Sequence, residues 1–114
     1  MDQDLEWVKE LPAAITVTDK ELKILFMNDK AAKSFDAQGG RSLVGSDLMA
    51  CHTERSQTII ARILAEGKPN VYTIEKKGVK KLIYQTTWTK EGEIAGLVEL
   101  SLEIPAELPH FKRD

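Results

Sequence analysis

The side chains in this sequence best suited to metal, redox or imidazole chemistry are few: a single cysteine, Cys51, and two histidines, His52 and His110. Cys51 and His52 are adjacent, so on a helix their side chains diverge and do not share an ion. A zinc site built from Cys51, His52 and His110 would need a distant tail, and it lacks the paired Cys or His spacing of structural zinc. Cys51 reads as a small buried hydrophobe, and His110, between Pro109 and Phe111, as an exposed tail residue. His52 is the sharpest candidate. It stands at the entrance of a helical stretch whose Ile59, Ile60, Ile63 and Leu64 form an apolar stripe, and its plainer role is a helix-entry side chain bonded to backbone. No Ser/His/Asp grouping, phosphate-cradling glycine loop or carboxylate cluster is present, so the chain reads as a binding protein and not an enzyme. Lys76, Lys77, Lys80 and Lys81 read as a solvated, aggregation-resistant hairpin tip, with a docking patch for an acidic partner as the alternative.

The elements that must position these residues follow from patterning. The 114 residues carry 42% apolar and 30% charged side chains and a net charge of −2. That is one globular domain, without the basic excess of a nucleic-acid binder. No stretch approaches the roughly 20 apolar residues needed to span a bilayer. The acidic start and lone cysteine point to a reducing, cytoplasmic setting. Residues 1–11 read as an amphipathic helix in which Leu5, Val8 and Leu11 repeat at i, i+3 and i+6, with Trp7 beside them. Residues 12–104 form the domain proper, and 105–114 a tail. Within the domain, Ala13 to Thr18 and Leu22 to Met27 suggest a hairpin, and Asn28 caps a helix running to Phe35. A helical turn covers Ser46 to His52, and a longer helix runs from Thr53 or Glu54 to Glu66, ended by Gly67. Val71 to Glu75, Val79 to Trp88 and Ile94 to Ile104 are strands joined by Lys76-Lys77-Gly78 and Lys90-Glu91-Gly92. Two strands, then helices, then three strands give an α+β fold: a five-stranded antiparallel sheet with helices on one face and a leading helix. Such an arrangement encloses a pocket between its layers.

That order, at this length, resembles a PAS domain. Ile15-Thr16-Val17-Thr18-Asp19 with Leu25-Phe26-Met27-Asn28 is similar to the family's opening hairpin and the Asn of its next helix. Leu43-Val44-Gly45-Ser46-Asp47-Leu48 resembles the turn before its long helix, and Glu91 to Gly96 the turn into its last strand. Cys51-His52-Thr53-Glu54-Arg55-Ser56 is similar to a Cys-His-Pro-x-x-Ser stretch of bacterial PAS modules attached to hemerythrin-like domains. It also resembles the His-Pro stretch of carbon-monoxide-sensing haem regulators, whose His is an iron ligand. The resemblance implies haem in the helix–sheet slot with His52 as axial ligand, lined by Ile60, Ile63, Leu64, Ile83, Val98 and Leu100. Thr53 stands where Pro is usual, and 68–74 offers no Met or Cys as a second ligand. The flavin branch of the family is not indicated, because Asp47 stands near the place of its reactive Cys.

The pocket's room depends on Leu82, Tyr84 and Trp88. Turned outward, they leave Ile83 facing in and need a cover, which the Leu5/Trp7/Val8 helix and a second copy of the chain would supply. The expectation is therefore a bacterial sensor that binds haem or another small apolar ligand, forms a homodimer and signals to a separate partner protein. The alternative is a ligand-free dimerisation or docking module.

Overall fold

The computed structural model describes residues 6–51 and 53–114. A short helix α1 (Glu6–Lys9) leads into the hairpin β1 (Ala14–Thr18) and β2 (Ile24–Met27). Helix α2 (Asp29–Ser34) and three 3₁₀ turns (Asp36–Gln38, Gly40–Leu43, Leu48–Cys51) follow. Helix α3 (Glu54–Glu66) then precedes β3 (Asn70–Lys76), β4 (Val79–Lys90) and β5 (Glu93–Ile104). The sheet order is β2-β1-β5-β4-β3, with every neighbouring pair antiparallel. The expected α+β architecture is the observed one. Two of the 3₁₀ turns, Asp36–Gln38 and Gly40–Leu43, carry the chain on from α2. No helix among the described residues is long and apolar enough to cross a membrane.

Local chemistry explains the main boundaries. Asn28 is wholly buried and uses all four of its hydrogen-bonding positions. Its Oδ1 accepts from Ile15 N and Ala31 N, both at 3.0 Å, which starts β1 and caps α2 together. Its Nδ2 donates to Val8 O at 3.0 Å and Ala13 O at 2.7 Å, tying α1 to the sheet. Thr53 caps α3 by accepting from Ser56 N, and Gly67 ends it in the left-handed region at φ 70°. Lys77-Gly78 and Glu91-Gly92 each have positive φ at both positions. This is the twist-matched two-residue turn that joins long antiparallel strands.

The core gathers Leu22, Ile24, Met27, Leu48, Ile60, Ile63 and Leu97 beneath the helices. Phe35, Leu43, Met49, Ile59 and Leu64 pack around it. It therefore sits over the β2-β1-β5 side of the sheet. At the seam between β1 and β5, Trp88 Nε1 donates to Thr18 O at 2.8 Å. Gly96, opposite Trp88 in the register, permits this. A Cβ there would collide with the Thr18 carbonyl and crowd the indole nitrogen.

Candidate functional site

Register decides which side chains share the space between sheet and helices. Asn70 pairs Gln85, Gln85 pairs Glu99, and Glu99 pairs Thr16, so one polar row crosses four strands on the helix-covered face. The next row on that face is Tyr72, Ile83, Ser101 and Ala14, and the third begins Ile74, Lys81 and Glu103. The other face carries Ile15, Val17, Leu82, Tyr84, Trp88, Val98, Leu100 and Leu102, because side chains alternate along each strand.

The first row is bonded as a relay. Asn70 Nδ2 donates to Gln85 Oε1 at 2.9 Å, and Gln85 Nε2 donates to Glu99 Oε2 at 3.0 Å. Direction runs from the acid: a carboxylate only accepts, so Gln85 must present its amide nitrogen to Glu99 and its oxygen to Asn70. This leaves Glu99 Oε1 and Asn70 Oδ1 without partners among the described residues. Gln85 itself is buried. The row is therefore a fixed acceptor surface.

Above this floor lie two cavities. One, of about 380 Å³, is bounded by the relay residues below and by Arg55, Ser56 and Ile59 of α3 above. The other, of about 260 Å³, lies between Phe35 and Ser34 on the helical side and Ile74, Lys81, Ile83 and Ser101 on the sheet. Tyr72 and Glu99 line both, so they mark where one lobe of the cleft passes into the other. Partial burial, and then the Glu99 carboxylate, push the Tyr72 phenol above its ordinary value of 10.0. Tyr72 therefore stays a neutral hydroxyl in the cleft. Among the described residues no cation lies within ion-pair distance of Glu99; the ion pairs are Lys30–Glu103 and Arg41–Asp29.

The residues singled out from the sequence fall into three groups. Ile60 and Ile63 face the sheet but are buried in the packed core, Leu64 packs at its margin, and Ile83 lines the smaller lobe. Val98 and Leu100 are corrected. They pair with Thr86 and Tyr84 and with Val17 and Ile15, on the side of the sheet away from the helices, and cannot line the cleft. Their inward neighbours are Leu97, Glu99 and Ser101. The third group is His52, Leu5 and the side chain of Cys51, which lie outside the described residues. Trp7 is 65% exposed, so the leading helix does not bury it. His110 is exposed in the tail, and among the described residues no three His, Cys, Asp or Glu side chains gather as a metal site. Sequence reading missed Arg55, Asn70, Tyr72, Gln85 and Glu99. The available signal was the polar run Glu99, Ser101, Glu103 in one parity of β5.

No family model matches the chain, and no curated protein is similar to it in sequence. Solved structures are similar. The PAS domain of a protein from Colwellia psychrerythraea superposes with a TM-score of 0.68 at 15% identity, over 90% of this chain and 94% of that one. The fold is that of a PAS domain. VqmA of Vibrio cholerae, in a complex with ligand and DNA, gives a TM-score of 0.68 at 15% identity over 89% of this chain. The chain spans only 50% of that VqmA chain. The Aer2 receptor of Vibrio cholerae, described as a dual PAS-haem oxygen sensor, gives 0.62 at 17% identity, over 82% of this chain and 95% of its own. In PAS terms, the relay and the two lobes occupy the space between sheet and helices.

Proposed function

We propose that this PAS domain is a ligand-binding sensor module whose cleft takes a small polar molecule bearing an N–H donor or a positive charge. One observation carries the reading: the Asn70–Gln85–Glu99 relay ends in a carboxylate that lines both lobes and has no cationic partner among the described residues. A carboxylate in a partly enclosed site favours a donor or cation of its own. The cavity of about 380 Å³ is within the usual range for small-ligand sites. In this reading the ligand is bound and not transformed. Its occupancy would be read by a separate partner protein in the cytoplasm, through β5 and a homodimer formed on the outer sheet face. VqmA, described as a dimer, and Aer2, described as a sensor, are similar in fold and support this direction.

The rival occupant is haem held by His52. Against it stands the composition of the cleft. Haem sites are apolar slots tuned by a few polar groups, whereas amides and an acid form this floor, and Val98 and Leu100 face away from it.

The test is calorimetric titration with a panel of small primary amines, beside Glu99→Gln, with haemin absorption titrations on the parent and on His52→Ala. The expected result is saturable amine binding that Glu99→Gln removes, and no His52-dependent haem spectrum. Saturable one-to-one haemin binding that His52→Ala abolishes would overturn the reading in favour of haem. Amine binding indifferent to Glu99→Gln would overturn it as well.

A further inference from the structure

The cleft's charges have an order. Arg55 lines only the larger lobe, Glu99 lines both, and Lys81 lines only the smaller. Among the described residues neither Arg55 nor Lys81 has an ion-pair partner. Among the residues that line the cleft the charges therefore run positive, negative, positive, while Glu103, in register with Lys81 on the same face, is paired with Lys30. Lys81 and Gln85 sit on the same strand, four residues apart, which is roughly 13 Å along β4. Gln85 is in register with Glu99, so Lys81 lies about that far from the acidic row, a gap that its own long side chain shortens. Between them the smaller lobe has Phe35, Ile74 and Ile83 on its walls, with the hydroxyls of Ser34 and Ser101 beside them.

The complement of that order is negative, positive, negative. A simple amine would satisfy Glu99 and leave Arg55 and Lys81 unused, and a simple dicarboxylate would satisfy Arg55 and Lys81 and be repelled by Glu99. Resting on the reading of the cleft as a polar-ligand site, we propose that it binds an α-amino dicarboxylate. The α-ammonium would bond Glu99 Oε1, and the α-carboxylate Arg55, whose planar fork suits a bidentate contact. A short apolar stem would run past Ile83 and Phe35 to place the second carboxylate at Lys81. Tyr72, kept neutral, donates to a ligand oxygen where the lobes meet.

Calorimetry on the intact chain tests this with four probes: L-glutamate, its longer homologue L-2-aminoadipate, glutarate, which lacks the ammonium, and 1-aminohexane, which lacks both carboxylates. One of the amino dicarboxylates is expected to bind at least tenfold tighter than glutarate or the amine. Arg55→Ala and Lys81→Ala are each expected to weaken it tenfold or more, and Glu99→Gln to remove it. Circular dichroism melts confirm that each variant is folded. Equal binding of glutarate, or affinity unchanged in Lys81→Ala, overturns the assignment. If 1-aminohexane binds in a Glu99-dependent way while both amino dicarboxylates fail, this proposal falls and the wider reading stands. If nothing binds in a Glu99-dependent way, both fall.

Discussion

On the β3-β4-β5 side, away from the core under the helices, the two faces of the sheet depart from the usual pattern. In a two-layer α+β domain the helix-covered face is normally the apolar one and the open face the polar one. Here the covered face carries Asn70, Gln85, Glu99, Thr16 and Ser101 across its middle, and the open face carries Leu82, Tyr84, Trp88, Val98, Leu100 and Leu102. Both departures cost stability, one by desolvating polar groups and the other by leaving apolar area in water. The relay offsets part of the first by bonding its members to one another, and no fully buried side-chain nitrogen or oxygen among the described residues lacks a partner. The second is offset only by a cover. The contrast supports the proposal of a ligand on the inner face and of another surface on the outer one.

The hardest way to break the contrast is to break the strand that carries both faces. Gly96→Ala puts a methyl group into the Thr18 carbonyl, and Asn28→Ala strips partners from two buried N–H groups and two carbonyls. Each is expected to cost about 3 kcal/mol or more, read as a lowered urea midpoint. Next in size is the outer face. Leu100→Lys or Leu102→Glu is expected to convert the proposed dimer to a monomer in sedimentation velocity while leaving amine binding intact. An unchanged sedimentation coefficient would remove the outer face as a subunit contact. Glu99→Gln sharpens the contrast from within: ligand binding is lost, yet stability shifts by less than about 1 kcal/mol because the relay bond to Gln85 has a neutral substitute. The smallest effect concerns pH. The Tyr72 phenol is raised in the fold, so on going above pH 10 the unfolded chain ionises first and stability falls through the folded value. Tyr72→Phe is expected to flatten that alkaline decline in urea titrations.

Much of the fold was legible because its signals are local. Asn28, Thr53 and Gly67 mark helix ends by capping chemistry, and α3 runs Glu54–Glu66 as its periodicity required. The two-residue turns at Lys77-Gly78 and Glu91-Gly92 were readable for the same reason. The cleft was not. Alternation along β5 separates two faces but does not say which is covered. Placing Leu82, Tyr84 and Trp88 outward while turning Val98 and Leu100 inward mixed the two parities, since Tyr84 pairs Leu100 and Thr86 pairs Val98. That register is a long-range fact. Once it is known, Glu99 falls on the floor of the cleft, and Asn70 and Gln85, unremarkable as separate letters, become its neighbours.

The position of β5 in the sheet also has a kinetic consequence. It is last in the chain but third in the sheet, between β4, reached by a two-residue turn, and β1, whose bonds to it and to Trp88 span 79 and 70 residues. Closing a loop of that length costs about 3 kcal/mol more chain entropy than closing the β4–β5 turn. The β3-β4-β5 meander can therefore assemble early from near neighbours, while the β1-β2 hairpin must be captured across most of the sequence. Gly96 and Trp88 sit at that late-closing seam. Substitutions there are expected to appear chiefly as faster unfolding, with the folding rate itself nearly unchanged.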